Sequence, residues 1–186
     1  MRLFVALELP ASHRASLTEV CERGRRGGVR WVPAENVHLT LKFLGEVDEA
    51  RIPKIKEALA SVAARARPFP LSLAGCGCFP NVRSPRVVWL GLAEGAGEAQ
   101  ALAGAVEDAL RPVGFAPERR PFKPHLTIGR VKDPRGGAAA ASSKVDALAD
   151  YAAAPAPAEA FALVKSTLTA EGSVYEEIGR WGLGGD

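Results

Sequence analysis

Two short segments of this 186-residue chain follow one pattern, His38-Leu39-Thr40-Leu41 and His125-Leu126-Thr127-Ile128. The pattern restricts what can surround it. Side chains alternate faces along a strand, so each imidazole shares a face with the hydroxyl two residues on, while the Leu and Ile residues share the other. Each copy therefore asks for an apolar layer beneath it and an open, polar space above. Each also follows a basic, proline-containing approach, Arg30-Trp31-Val32-Pro33 in the first and Arg119-Arg120-Pro121-Phe122-Lys123-Pro124 in the second. A single His-x-Thr is what any half-exposed strand can show. Two of the three histidines in the same four-residue context point to one shared site. The third, His13, falls on a helical stretch and reads as a surface or packing residue.

The remaining pattern intermixes strands and helices. Residues 2–8 predict a strand, and Pro10 to about Arg23 a helix with Leu17, Val20 and Cys21 on one face. Val37 to Leu44 predicts a strand. Asp48 caps a helix to about Ala66, in which Ile52, Ile55, Leu59 and Val62 recur at helical spacing and Pro53 sits in the tolerated first turn. Residues 69–77 and 86–92 read as strands joined by the turn-rich segment 80–85, and 96–111 as a helix. His125 to Val131 is a strand, Asp133 to Ala141 a Gly/Ala loop, and Ser142 to Tyr151 a short helix. The Ala/Pro stretch 152–158 reads as a stiff surface connection. Strands at 160–169 and 173–181 follow, around a Glu171-Gly172 turn. Consecutive strand pairs among helices predict an α+β protein built on mainly antiparallel sheets.

Composition narrows the class. With 47% hydrophobic and 24% charged residues the chain is of globular type, which excludes disorder, collagen and coiled coil. No apolar run approaches the ~20 residues of a membrane span, and the opening Met1–Glu8 is too short and too soon acidic for a signal peptide. We therefore expect a cytoplasmic protein without membrane association. Three cysteines cannot pair completely, and Cys76-Gly77-Cys78 is too closely spaced for a zinc knuckle, so they read as reduced, structural residues. The net charge is only +3, yet Arg23, Arg25, Arg26 and Arg30 cluster, and Arg119 and Arg120 form a second pair. Guanidinium forks suit phosphate, although solvated loop charges would look the same.

Two His/Thr pairs limit the chemistry. Zinc asks for three or four strong ligands, which are missing, so no metal is expected. No Gly-x-Ser-x-Gly elbow supports a covalent nucleophile, and no phosphate-binding Gly-x4-Gly-Lys-Ser/Thr loop supports ATP use. General acid–base chemistry remains: imidazole titrates near neutrality, so one histidine can take a proton while the other gives one. Thr40 and Thr127 can donate to the non-bridging oxygens of a phosphate between them. Strict alternation puts Lys42 on the His38 face, where it could meet phosphate. Arg130 is a further candidate for the phosphate: it would point away from Thr127 unless Gly129 introduces a bulge, which glycine permits.

The residues around both motifs resemble those of the two-histidine (2H) phosphoesterases. The likeness takes in Arg2–Leu7, Trp31–Gly45, Pro85–Trp89, Arg120–Arg130, Phe161–Leu168 and Gly172–Glu176, and it is most similar to the bacterial and archaeal RNA 2′,3′-cyclic phosphodiesterases, also called RNA 2′,5′-ligases. The resemblance implies a bilobal 2H phosphoesterase fold over residues 1–186, with two pseudo-symmetric lobes of antiparallel sheet facing a central cleft, helices outside, and one motif per lobe (38–41 and 125–128). It implies hydrolysis of a terminal 2′,3′-cyclic phosphate to a 2′-phosphomonoester without a cofactor, with His38 as proton donor, His125 as proton acceptor, and Thr40 and Thr127 on the phosphate. The implied partner is RNA with a 2′,3′-cyclic phosphate end, tRNA fragments included, and the implied state a monomer. The alternatives are a phosphodiesterase for another cyclic or 2′,5′-linked nucleotide, and an RNA-binding protein without catalysis.

Overall fold

The computed structural model describes residues 1–22, 24–170 and 172–184; Arg23 and Glu171, which figure in the expectations above, lie outside them. The described residues form, in chain order, β1 (Arg2–Leu7), α1 (Ala11–Val20), β2 (Gly24–Arg26), β3 (Val29–Trp31), β4 (Leu39–Glu46), α2 (Ile52–Ala63), β5 (Phe69–Phe79) and β6 (Val87–Glu94). They continue with α3 (Ala96–Leu110), β7 (Leu126–Val131), α4 (Pro134–Ala147), β8 (Ala152–Ala158), β9 (Ala160–Leu168) and β10 (Ser173–Gly182). The α+β class read from the sequence is what the structure shows.

Every pairing between the strands is antiparallel, and the main path runs β10-β9-β1-β4-β7-β6-β5-β8. Its middle is the β4/β7 junction, with four strands on either side. The two halves interlock along the chain, because β5 follows β4 through α2 yet pairs with β6 in the other half, while β9 returns to pair with β1. The helices cross over as well. α3, which follows β6, packs on β4, whereas α1, which follows β1, packs on β8. β1 is buried along its whole length from Leu3 to Leu7, as expected of a strand covered on both faces. Ile55, Leu59 and Val62 of α2 and Leu102, Val106 and Leu110 of α3 are buried in the core beside it. Burying each such aliphatic side chain contributes about 1.5–3 kcal/mol.

Two sequence expectations fail here for physical reasons. The Gly/Ala segment after β7 is not a loop but the first half of α4. Asp133 caps it by accepting from the Arg135 amide at 3.0 Å, and Pro134 occupies the first turn. Gly137 serves close approach: a Cβ there would stand 2.6 Å from Val131 Cγ1 and 3.0 Å from the Gly28 carbonyl oxygen. The Ala/Pro stretch is not a connection but the edge strand β8, paired with β5. Pro155 and Pro157 stand two residues apart, so the missing N–H groups fall on one side of the strand, which an edge tolerates.

A third element was not anticipated. Arg25, Arg26 and Arg30 lie in a small hairpin, β2–β3, that pairs with the part of β7 that β4 leaves free. Its turn is Gly27-Gly28, both at positive φ (58° and 76°), the conformation that a two-residue hairpin turn requires.

Candidate active site

Both motifs sit where the halves of the sheet meet. The residue pair joining β4 to β7 is Leu39 with Leu126, both fully buried. The strands run antiparallel, so one step either way places His38 beside Thr127 and Thr40 beside His125. All four are half-buried and lie on the face opposite the two leucines. His38 feels the charge of His125 directly.

The two imidazoles are held in the same way. His38 Nδ1 stands 2.8 Å from the Asn36 carbonyl oxygen, and His125 Nδ1 stands 2.6 Å from that of Lys123. A carbonyl only accepts, so each Nδ1 carries the proton and each Nε2 is left free to take or give one. This i−2 carbonyl is a device that sequence reading missed, since any residue supplies it. Aromatic rings complete each seat. Phe4 stacks on His38 at 4.6 Å with Tyr175 edge-on at 5.2 Å, and Phe79 stands edge-on to His125 at 5.0 Å. Of the aromatics that could have met a nucleobase, Phe4 and Trp31 are buried, whereas Phe43 is 56% exposed.

Burial is the main cause that lowers His38, to about 4, with Arg130, Arg14 and His125 adding to it against the bond to Asn36. Burial lowers His125 too, with Arg130 adding to it. Both shifts favour the neutral imidazole.

The same irregularity interrupts both motif strands. Opposite β1, Thr40 pairs with Ala6 and Lys42 with Val5, so Leu41 is an extra residue; opposite β6, Thr127 pairs with Trp89 and Gly129 with Val88, so Ile128 is extra. Each bulge reverses the alternation beyond it. The expectation that Lys42 shares the His38 face is therefore corrected. Lys42 is 3% exposed, and its Nζ donates to the Ala116 carbonyl at 3.0 Å and meets Glu107 Oε2 of α3 at 3.4 Å. Arg130 lies on the His125 face, by a bulge at Ile128 rather than at Gly129. Phe43 and Arg130 occupy equivalent positions, so the cleft is aromatic on one side and cationic on the other.

A cavity of about 410 Å³ opens beside His38, lined among others by Phe4, Tyr175, Arg14 and Glu177; it does not extend to His125. Away from the cleft, His13 is buried, with Nε2 2.9 Å from the Ala154 carbonyl oxygen, so it is a packing residue. Burial pushes the thiols of Cys21 and Cys76 up to about 11, as expected of unreactive cysteines. Among the described residues no three His, Cys, Asp or Glu side chains converge, and no helix is long and apolar enough to cross a membrane.

The chain is similar to known proteins over nearly its whole length. The chain is 38% identical over 182 residues to an Archaeoglobus fulgidus protein named RNA 2′,3′-cyclic phosphodiesterase, covering 96% of this chain and 98% of that one. A Thermotoga maritima protein of the same name is 36% identical over 186 residues, covering 96% and 93%. A crystal structure from Thermus thermophilus superposes with a TM-score of 0.79 at 33% identity over the whole of both chains. Escherichia coli LigT complexed with NADP+ superposes at 0.72 and 30% identity, covering 98% of this chain and 96% of that one. The model of the LigT-like phosphoesterases matches twice, over residues 7–89 and 90–175, with one His-x-Thr motif in each match. The chain belongs to the LigT-like phosphoesterase family.

Proposed function

We propose that the protein hydrolyses the terminal 2′,3′-cyclic phosphate of RNA to a 2′-phosphomonoester. The observation that carries this reading is the pair of imidazoles with Nδ1 pinned to backbone carbonyls and Nε2 free, each next to a threonine across the β4/β7 junction. Thr40, Thr127 and Arg130 hold the non-bridging oxygens. His125 takes a proton from water as its oxygen bonds to phosphorus; the bond from phosphorus to O3′ breaks, and O3′ takes the proton of His38. His38, which burial holds down to about 4, gives up its proton readily once protonated, and His125 is the base. The anionic phosphate supplies the field that protonates His38 in the first place. If the 5′ hydroxyl of a second RNA replaces water, the same step forms a 2′,5′ link, with no ATP in the balance.

The test is an RNA ending in a 2′,3′-cyclic phosphate, incubated with the protein in excess EDTA without ATP, followed by identification of the end group. A 2′-phosphate is expected, and a 3′-phosphate would refute the regiochemistry. Turnover of small cyclic nucleotides but not of RNA would move the function to another phosphodiesterase substrate. Binding of RNA without turnover would leave a binding protein.

A further inference from the structure

The arginines that cluster in the sequence separate in the structure, and the separation has a direction. Residues paired across neighbouring strands point to the same face of a sheet. Arg25 of β2 pairs with Arg30 of β3, Arg30 pairs with Arg130 of β7, and Arg130 pairs with Val87 of β6, itself opposite Phe79 of β5. Three guanidinium groups therefore stand in one row on the cleft face, and the row leads to the Phe79 ring against His125. Strands are spaced about 4.8 Å apart, so Arg25 stands about 10 Å beyond Arg130 along the row. Arg26 pairs with buried Val29 and belongs to the opposite face.

The row is built on a fixed support. Val29 and Trp31 are buried, and a Cβ on Gly129 would come within 3.0 Å of both side chains, so the hairpin lies flat on β7. The Gly28 carbonyl accepts from the amides of Lys132 at 2.8 Å and Asp133 at 3.0 Å, which ties the turn to the start of α4. Like charges directly opposite on neighbouring strands destabilise a sheet. Among the described residues none of the three guanidinium groups has an ion-pair partner. A rigid, uncompensated cationic row that begins at the phosphate site suits a polyanion entering that site.

We propose that Arg25 and Arg30 form a track for the backbone phosphates of the RNA upstream of its cyclic end, with Arg130 at the junction of track and active site. The inference rests on the RNA reading above. It makes the enzyme prefer an RNA chain over a mononucleotide, which has no further phosphate to offer.

The experiment compares wild type with the double variant Arg25→Gln/Arg30→Gln and with Arg26→Gln, which makes a charge change on the other face of the same hairpin. Two substrates are used, a ten-nucleotide RNA with a 2′,3′-cyclic phosphate end and cytidine 2′,3′-cyclic phosphate. The ratio of kcat/KM on RNA to that on the mononucleotide is expected to fall about tenfold in the double variant. The slope of log kcat/KM for RNA against log salt should become shallower by about 1.4, the loss of two phosphate contacts on a single strand. Arg26→Gln should leave the ratio within about twofold, as expected for a charge outside the track. Fluorescence anisotropy with a labelled RNA ending in a 2′-phosphate reads the same contacts without turnover. An unchanged ratio and slope, or equal loss on both substrates, would overturn the track. Should wild type turn over neither substrate, the reaction reading fails, and anisotropy still decides the row. Arg25→Gln alone, at an exposed position, serves if the double variant does not fold.

Discussion

Binding of an anion in the cleft should raise the His38 pKa by about three units. In the free protein, burial holds that ring down to about 4, so only about one molecule in a thousand carries the imidazolium at pH 7. A proton donor with that population would cost the reaction about 4 kcal/mol. A single negative charge about 4 Å away, at an effective dielectric constant of about 20, returns about 4 kcal/mol, or about three pH units. The bound state should therefore titrate at about 7. The assay is a two-dimensional proton–nitrogen NMR titration of the imidazoles. It is run on the free protein and again with saturating nucleoside 2′,3′-cyclic phosphorothioate, a slowly hydrolysed monoanion. The two rings interact, so the midpoints belong to the pair. A free protein in which both rings titrate near 6.5 would refute the burial argument. A lower midpoint that stays near 4 with ligand bound would refute the role given to the phosphate charge.

The same depression makes the fold acid-sensitive. The unfolded chain binds a proton at His38 near pH 6.5 and the folded one only near 4, so stability is full above pH 6.5 and falls as pH drops toward 4, by about 2–3 kcal/mol. Urea melts between pH 7.5 and 4.5 should show the loss, and His38→Asn should flatten it. Lys42→Met should lower stability by about 1–3 kcal/mol, because it leaves the Ala116 carbonyl without its donor and takes the cation from Glu107, yet keep kcat/KM within about threefold. Arg130→Ala should do the reverse, with kcat/KM on a cyclic phosphate down by about 10- to 100-fold. An Arg130 variant of full activity would remove it from the phosphate site. Gly137→Ala should destabilise by about 1–3 kcal/mol, since its Cβ meets Val131 and Gly28 in a packed contact. Gly104→Ala, on an open part of α3, should instead gain about 0.5–1 kcal/mol.

Legibility in the sequence followed the range of the interactions involved. The helix from Ala96 and the strands around both motifs were readable because their apolar period is local. Glycines at 136 and 137 made the start of α4 read as a loop, although Asp133 and Pro134 begin the helix in the structure. Only contact with Val131 and Gly28 shows why glycine stands at 137. The β2–β3 hairpin had one signal, Gly27-Gly28, and short strands of three residues give no period to accompany it.

The sequence by itself determined that His38 shares a face with Thr40 and His125 with Thr127, since alternation over two residues is a property of the chain's own backbone. It also carried the duplication that makes one site from two strands. What lay one step further along each strand was decided by the tertiary structure. A bulge exists only where a partner strand leaves one residue unpaired, and the partners, β1 and β6, are remote in sequence from Leu41 and close to Ile128 only through folding. Those two extra residues turned Lys42 into the interior and Arg130 into the cleft, and cross-strand pairing alone put Arg25 and Arg30 in line with it.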